Sequence, residues 1–165
     1  MPNHIHLIVA PETKDGLNQA IGEARRRYTR RINFREGWRG HLWQGRFSSF
    51  IMEEGYLLAC TRYVELNPVR AGLVKKSEDW QWSSAGPHMK DKDDLLVKTK
   101  PLLEIMSNPW EAFLSVDAQD PEIELFRKHE RTGRPLGTDP FIGTMELLLG
   151  RKLKPQKPGP RKKDK

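Results

Sequence analysis

Two different periods govern the apolar positions in the first half of the chain. From His4 to Ala10 the sequence is short, β-branched and apolar, and Pro11 ends it, so it reads as a buried strand. From about Gly16 to Phe34, Leu17, Ile21, Ala24, Tyr28 and Ile32 recur at three- and four-residue steps, as on a helix with one buried face. Arg25, Arg26, Arg27, Arg30, Arg31 and Arg35 cover much of the remainder. GWRG breaks that pattern, and LWQGRFSSFIM reads as an extended segment containing a glycine bend. A second helix is expected from Glu53 to Leu66, opened by acidic residues that suit the helix dipole and closed by Asn67-Pro68.

The second half is less periodic. SEDWQWSSAG reads as a surface stretch with anchoring tryptophans, and the charged run from Lys90 to Asp94 marks a boundary. Three weaker helical segments follow, at about 100–116, 121–130 and 139–149, with TGRPLGT as the turn between the last two.

Charge changes this picture at one end only. Of the net +7, the stretch from Gly150 to Lys165 supplies eight basic residues against Asp164, which leaves residues 1–149 neutral overall. A proline-rich basic arm on a neutral body gains affinity for a polyanion by releasing counterions, although such a tail also serves simply to solubilise. The mean hydropathy of -0.73 and the lack of any apolar run near the ~20 residues of a membrane helix argue against a membrane role. MPNHIHLIV has no basic lead and makes a poor signal peptide. Cys60, the single cysteine, forms no internal disulfide and fits a cytoplasmic location.

Candidate chemistry lies in two places. On a strand, His4 and His6 share a face while Ile5 and Leu7 take the other, and imidazoles about 7 Å apart can close on one metal ion. Two histidines on a strand are more often structural or incidental than ligands. Tyr63 and Asn67 are four residues apart and share a helical face. A phenol beside a carboxamide oxygen suits metal-assisted attack on phosphorus, with Tyr63 as nucleophile and Asn67 as a hard oxygen ligand. Spacing alone also admits a core aromatic and a helix-terminal asparagine. Tyr56 shares the face of Tyr63 but has no asparagine four residues on, and His41, His88 and His129 lack ligand spacing to one another. A two-histidine metallohydrolase using activated water is a third reading.

The strings MPNHIHLIV, LWQGRF, YLLACTRYVELNPVRAGLV and DWQWSSAG, in that order, resemble the REP-associated tyrosine transposases, within the HUH single-tyrosine transposase family. TGRPLG and LLGRKLKPQKPGPRKK resemble the family's C-terminal extension. The resemblance implies an α+β fold: a ferredoxin-like antiparallel sheet with helices, in which the histidine strand faces the tyrosine helix. The family carries a further strand and helix before the histidine strand, so this chain is expected to lack them, through a late start or as a decayed element.

The implied organisation is a transposase domain over 1–88, a helical connection over 89–118, a small helical region over 119–150 and a disordered basic tail over 151–165. His4 and His6 match the metal-ligand histidines, Tyr63 the nucleophile and Asn67 the third ligand, with Mg²⁺ or Mn²⁺ as the implied metal. The implied partner is single-stranded DNA that forms hairpins, and a homodimer is admitted. Arg25, Arg26, Arg30 and Arg46, with Arg151, Lys152 and Lys154 at the other end, are the candidate DNA contacts. Trp43 and Phe47 suit base stacking less well than core packing.

Overall fold

A ladder of strands requires a partner for every exposed backbone N–H and C=O, and local β propensity does not supply one. The computed structural model of the protein describes residues 1–115 and 120–155. Among these residues it contains helices and no strand; the one β-type pairing is an isolated parallel bridge between Met52 and Leu136. The expected ferredoxin-like sheet is therefore corrected to a helical architecture. Residues 4–10 have the composition of a strand but pair with nothing in a ladder, and Ile5, Leu7 and Val9 stand 63%, 56% and 50% exposed. The segment LWQGRFSSFIM likewise stays irregular up to the bridge at Met52.

The chain divides into two compact units, Ile5–Phe47 and a second one formed by Met1–His4 with Ser48–Lys165. The first unit is built on α1 (Gly16–Glu36), whose bounds agree with the three- and four-residue apolar steps. Gly37, at φ 67°, ends it in the left-handed conformation, and the Trp38 N–H returns to the Asn33 carbonyl at 2.9 Å. The Asn33 amide then donates to the Gly40 carbonyl at 3.0 Å and ties the GWRG turn back to the helix. Trp43 closes the unit: its indole N–H donates to Thr29 Oγ1 at 3.0 Å, and its ring lies 5.6 Å from that of Tyr28.

The second unit starts from a short 3₁₀ turn, Glu54–Tyr56, that leads into α2 (Leu57–Arg70). The expected stop at Asn67-Pro68 is overrun. Pro68 lacks one N–H and crowds the preceding turn, but only two helical residues follow it, so few bonds are at stake. The true end is at Gly72, φ 66°, where the Gly72 N–H bonds the Val69 carbonyl and the Leu73 N–H bonds the Pro68 carbonyl, both at 2.9 Å. That pair of returns is a Schellman cap, and glycine is the residue that takes its left-handed position at least cost.

Downstream come α3 (Ala85–Met89), α4 (Lys100–Leu103), α5 (Trp110–Ser115), α6 (Asp120–Thr132) and α7 (Asp139–Leu149). The single helix expected over 100–116 is split in two, with Pro109 immediately before α5. α5 does more than connect: Trp110 and Leu114 share a core with Ala85, against which Leu66, Met89 and Phe113 pack. Of the tryptophans expected to anchor the stretch before α3, Trp82 is 78% exposed, and the buried anchor is Trp110. Glu53 joins the start of α2 to α7 by accepting from the Thr138 N–H at 2.7 Å and the Thr138 hydroxyl at 3.2 Å. The terminal part of the expected basic tail, 156–165, lies outside the described residues.

Candidate active site

Tyr63 sits midway along α2 and is 5% exposed. Helix α6 covers it. The Phe126 ring stacks on the tyrosine at 5.3 Å and 30°, and the Tyr63 hydroxyl lies 3.5 Å from Glu130 Oε2. Arg70 comes in from the same helix: its guanidinium is 4.9 Å from the Tyr63 ring centroid, and it donates to the Tyr63 carbonyl and, at 2.8 Å, to Asn67 Oδ1. Burial raises the Tyr63 pKa above that of a free phenol, and the Glu130 carboxylate adds to the rise. Hydrogen bonding to Arg127 and Asn67 pulls the other way and does not cancel it. As folded, then, the phenol is protonated and covered.

Two residues further along α2, about 200° around the helix, Glu65 is 1% exposed. Its carboxylate receives three donors: the Ser84 hydroxyl at 2.5 Å and His88 Nδ1 at 2.7 Å on Oε1, and the Trp110 indole N–H at 2.8 Å on Oε2. The His88 and Trp110 rings lie 4.4 Å apart. A buried carboxylate is tolerable when its lone pairs are filled in this way, and the three donors fasten α2 to α3 and α5. Glu65 gives no signal in the sequence because its partners lie 19 to 45 residues away with no local spacing; His88, which lacks ligand spacing in the sequence, is buried against it.

The expected metal ligands are distributed over both units. His4 and Asn67 belong to one unit and His6 to the other. His4 Nδ1 lies 2.7 Å from Asn3 Oδ1, and the strand that would alternate the two imidazoles is absent. Asn67 Oδ1, the oxygen a metal would use, is held by the Arg70 cation. Among the described residues no group of three or more His, Cys, Asp or Glu side chains could hold a metal ion.

The expected DNA contacts fare unequally. Arg25 is folded into its own unit: it donates to the Gly45 carbonyl and lies 4.9 Å over the Trp43 ring, which also occupies Trp43. Arg26 pairs with Glu23 at 2.7 Å, whose carboxyl is held down to about 2 by hydrogen bonds from Arg26 and Arg27. Arg30, Arg46, Arg151 and Lys152 are exposed, and Lys154 pairs with Asp139 at 2.7 Å. No helix of the described residues is long and apolar enough to cross a membrane.

Similarity to known proteins defines the class first. Residues 1–67 match the family described as "Transposase IS200 like", a stretch that opens on the histidine segment and ends on Asn67. More particularly, the chain is 30% identical over 95 residues to a protein of Haemophilus influenzae (strain ATCC 51907 / DSM 11121 / KW20 / Rd) whose name assigns it to the REP-associated tyrosine transposases. That match covers 51% of this chain and 54% of the relative, so the chain spans about half the length of the relative it matches. The resemblance read from the motifs is thus met again as a similarity: over residues 1–67 the chain is similar to the IS200-like transposases. No solved structure matches.

Proposed function

We propose that the chain is a transposase acting on single-stranded DNA at hairpin-forming repeats, with Tyr63 as its nucleophile. The observation that carries the reading is the pairing of Tyr63 and Asn67 one turn apart on α2, inside the segment that matches the transposase family. In the reaction the Tyr63 oxygen attacks a backbone phosphorus. The bond to the 3′ oxygen breaks, that oxygen leaves as a hydroxyl with the phenolic proton, and the 5′ phosphate stays on the tyrosine. The 3′-hydroxyl of a second strand reverses the step and joins DNA without an external energy source.

The structure adds a condition to this chemistry. A phosphate cannot approach a hydroxyl covered by Phe126 and faced by the negative Glu130, so the end of α6 has to withdraw before attack. The family resemblance also assigns Mg²⁺ or Mn²⁺ to His4, His6 and Asn67. The Asn67 oxygen accepts from Arg70, so a metal bound there would have to displace that guanidinium, and metal dependence is read by adding or withholding the ion.

The buried nucleophile and the occupied Asn67 favour one second reading, a DNA-binding remnant without catalysis. Labelled single-stranded hairpin DNA, incubated with the protein with and without Mg²⁺ or Mn²⁺ and run on a denaturing gel, separates the two. A covalent band that vanishes in Tyr63→Phe establishes the tyrosine reaction. Binding with no band from either protein establishes the remnant, and cleavage that survives Tyr63→Phe points to activated water instead.

A further inference from the structure

Helix α1 is amphipathic with one exception. Its apolar stripe, Leu17, Ile21, Tyr28 and Ile32, occupies one side, and at about 100° per residue Arg26, Arg27, Arg30, Arg31 and Phe34 fall on the other. On that polar side Phe34 is 90% exposed, a large aromatic ring among guanidiniums. The five residues line a shallow groove along the helix surface. Glu23 is the acid that neutralises part of it, bonding Arg26 and Arg27 at 2.7 Å each. No carboxylate pairs with Arg30 or Arg31 among the described residues, so the groove keeps an excess of positive charge.

A surface of this kind needs a ligand that is both polyanionic and rich in exposed π faces. Single-stranded DNA has both properties. A duplex offers the charge but hides its base faces in the stack, and an acidic protein surface offers charge without rings. An anionic membrane needs a broad apolar face, where this groove has a single ring. Guanidiniums hold phosphates by charge-assisted hydrogen bonds and also stack on bases, and an exposed aromatic ring is the usual platform for an unpaired base. We propose that Arg27, Arg30, Arg31 and Phe34 of α1 form a landing site for single-stranded DNA, in which the arginines hold successive phosphates and the Phe34 ring stacks on a base. This site lies in the unit of Ile5–Phe47, whereas Tyr63 belongs to the other. It rests on the reading of single-stranded DNA as substrate and adds a grip that uses neither Tyr63 nor Asn67.

The experiment is a titration of the full chain with a fluorescently labelled oligothymidylate, at several salt concentrations, for wild type, Phe34→Ala, Phe34→Tyr and the double variant Arg30→Gln/Arg31→Gln. All three positions are exposed, and thermal melts check that folding is unchanged. Phe34→Ala is expected to weaken binding by about tenfold at fixed salt with the salt dependence intact, and Phe34→Tyr to restore it. The arginine variant is expected to flatten the slope of log affinity against log salt by roughly 0.7 for each phosphate that is no longer neutralised. Wild-type affinity in Phe34→Ala overturns the site. So does preference for duplex over single strand, or binding to phosphatidylserine vesicles that depends on Phe34 when DNA binding does not. The covalent-adduct gel tells this failure from failure of the catalytic reading. An adduct formed by a Phe34→Ala protein of normal affinity leaves the chemistry standing without the site, and Phe34-dependent binding without any adduct leaves the site without the chemistry.

Discussion

Two faces of α2, two residues apart, solve the burial of a polar side chain in opposite ways. Glu65 is surrounded by donors, three of them within 2.8 Å, that come from two other helices and from the turn before α3. Tyr63 is nearly as buried, yet its hydroxyl faces a carboxylate at 3.5 Å, and its surroundings are supplied mainly by one covering helix and by Arg70. Satisfied networks that tie several elements together are rigid and costly to break, whereas a group covered mainly by one removable element is cheaper to expose. Helix α2 is thus held from its Glu65 side, which leaves the Tyr63 side able to open without unfolding the helix.

Substitutions on the two faces break or sustain this contrast. Tyr63→Phe is expected to give the largest effect, complete loss of the covalent DNA band. Its unfolding in urea moves by no more than about 1 kcal/mol, because the ring packing stays and only the hydroxyl is removed. Glu65→Ala is expected to do the reverse. It strands three buried donors and costs about 3–5 kcal/mol, read from the same urea curves, and any loss of the band follows from lost folded protein. If Glu65→Ala were neutral to stability, α2 would not be anchored where the structure puts its anchor.

Gly72→Ala is the next step down. The left-handed position of the Schellman cap costs an alanine roughly 1 kcal/mol, and open space around Gly72 means that backbone conformation alone accounts for it. Thermal unfolding measures that loss, and a drop well above it would show that the end of α2 matters beyond its own cap.

Gly72 and Pro68 also show what was legible in the sequence. Proline is the stronger stop signal in isolation, but its cost depends on how many helical residues follow, which the local pattern does not state. The helices α1 and α2 were readable because their apolar steps are local and repeat over several turns. Residues 4–10 were misread for a matching reason: β-branched composition predicts the conformation a segment favours, not the partner it pairs with. The same limit separates the site residues. Tyr63 and Asn67 were visible through a spacing of four on one helix, while Glu65, Phe126 and Glu130 acquire their roles only from contacts across 19 to 67 residues. Phe34 was legible as helical but not as exposed, since the pattern alone did not tell which side of α1 would go uncovered.

The smallest effect tests whether Glu130 acts on the whole Tyr63 side of α2. Cys60 lies on that side, and burial, followed by the Glu130 charge, pushes its thiol up to about 12 from an ordinary value of 9.0. Tyr63 is raised by the same two causes in the same order. Both groups bind their proton more tightly folded than unfolded. Each therefore contributes stability that is fully present below the unfolded pKa and is lost as pH rises towards the folded one, from about 9 towards 12 for the thiol. The slope is at most about 1.4 kcal/mol per pH unit for each group. Urea unfolding from pH 8 to 11 is expected to show this fall, and Cys60→Ala to make it shallower. Glu130→Gln removes the lesser cause for both residues, so it lowers both folded pKa values a little. The fall in stability is then expected to level off at slightly lower pH, and DNA cleavage, expected to rise with pH as the Tyr63 phenol loses its proton, to shift the same way. If Glu130→Gln moved the cleavage profile but not the stability profile, the carboxylate would be acting on the tyrosine alone, and Cys60 would owe its raised pKa to burial.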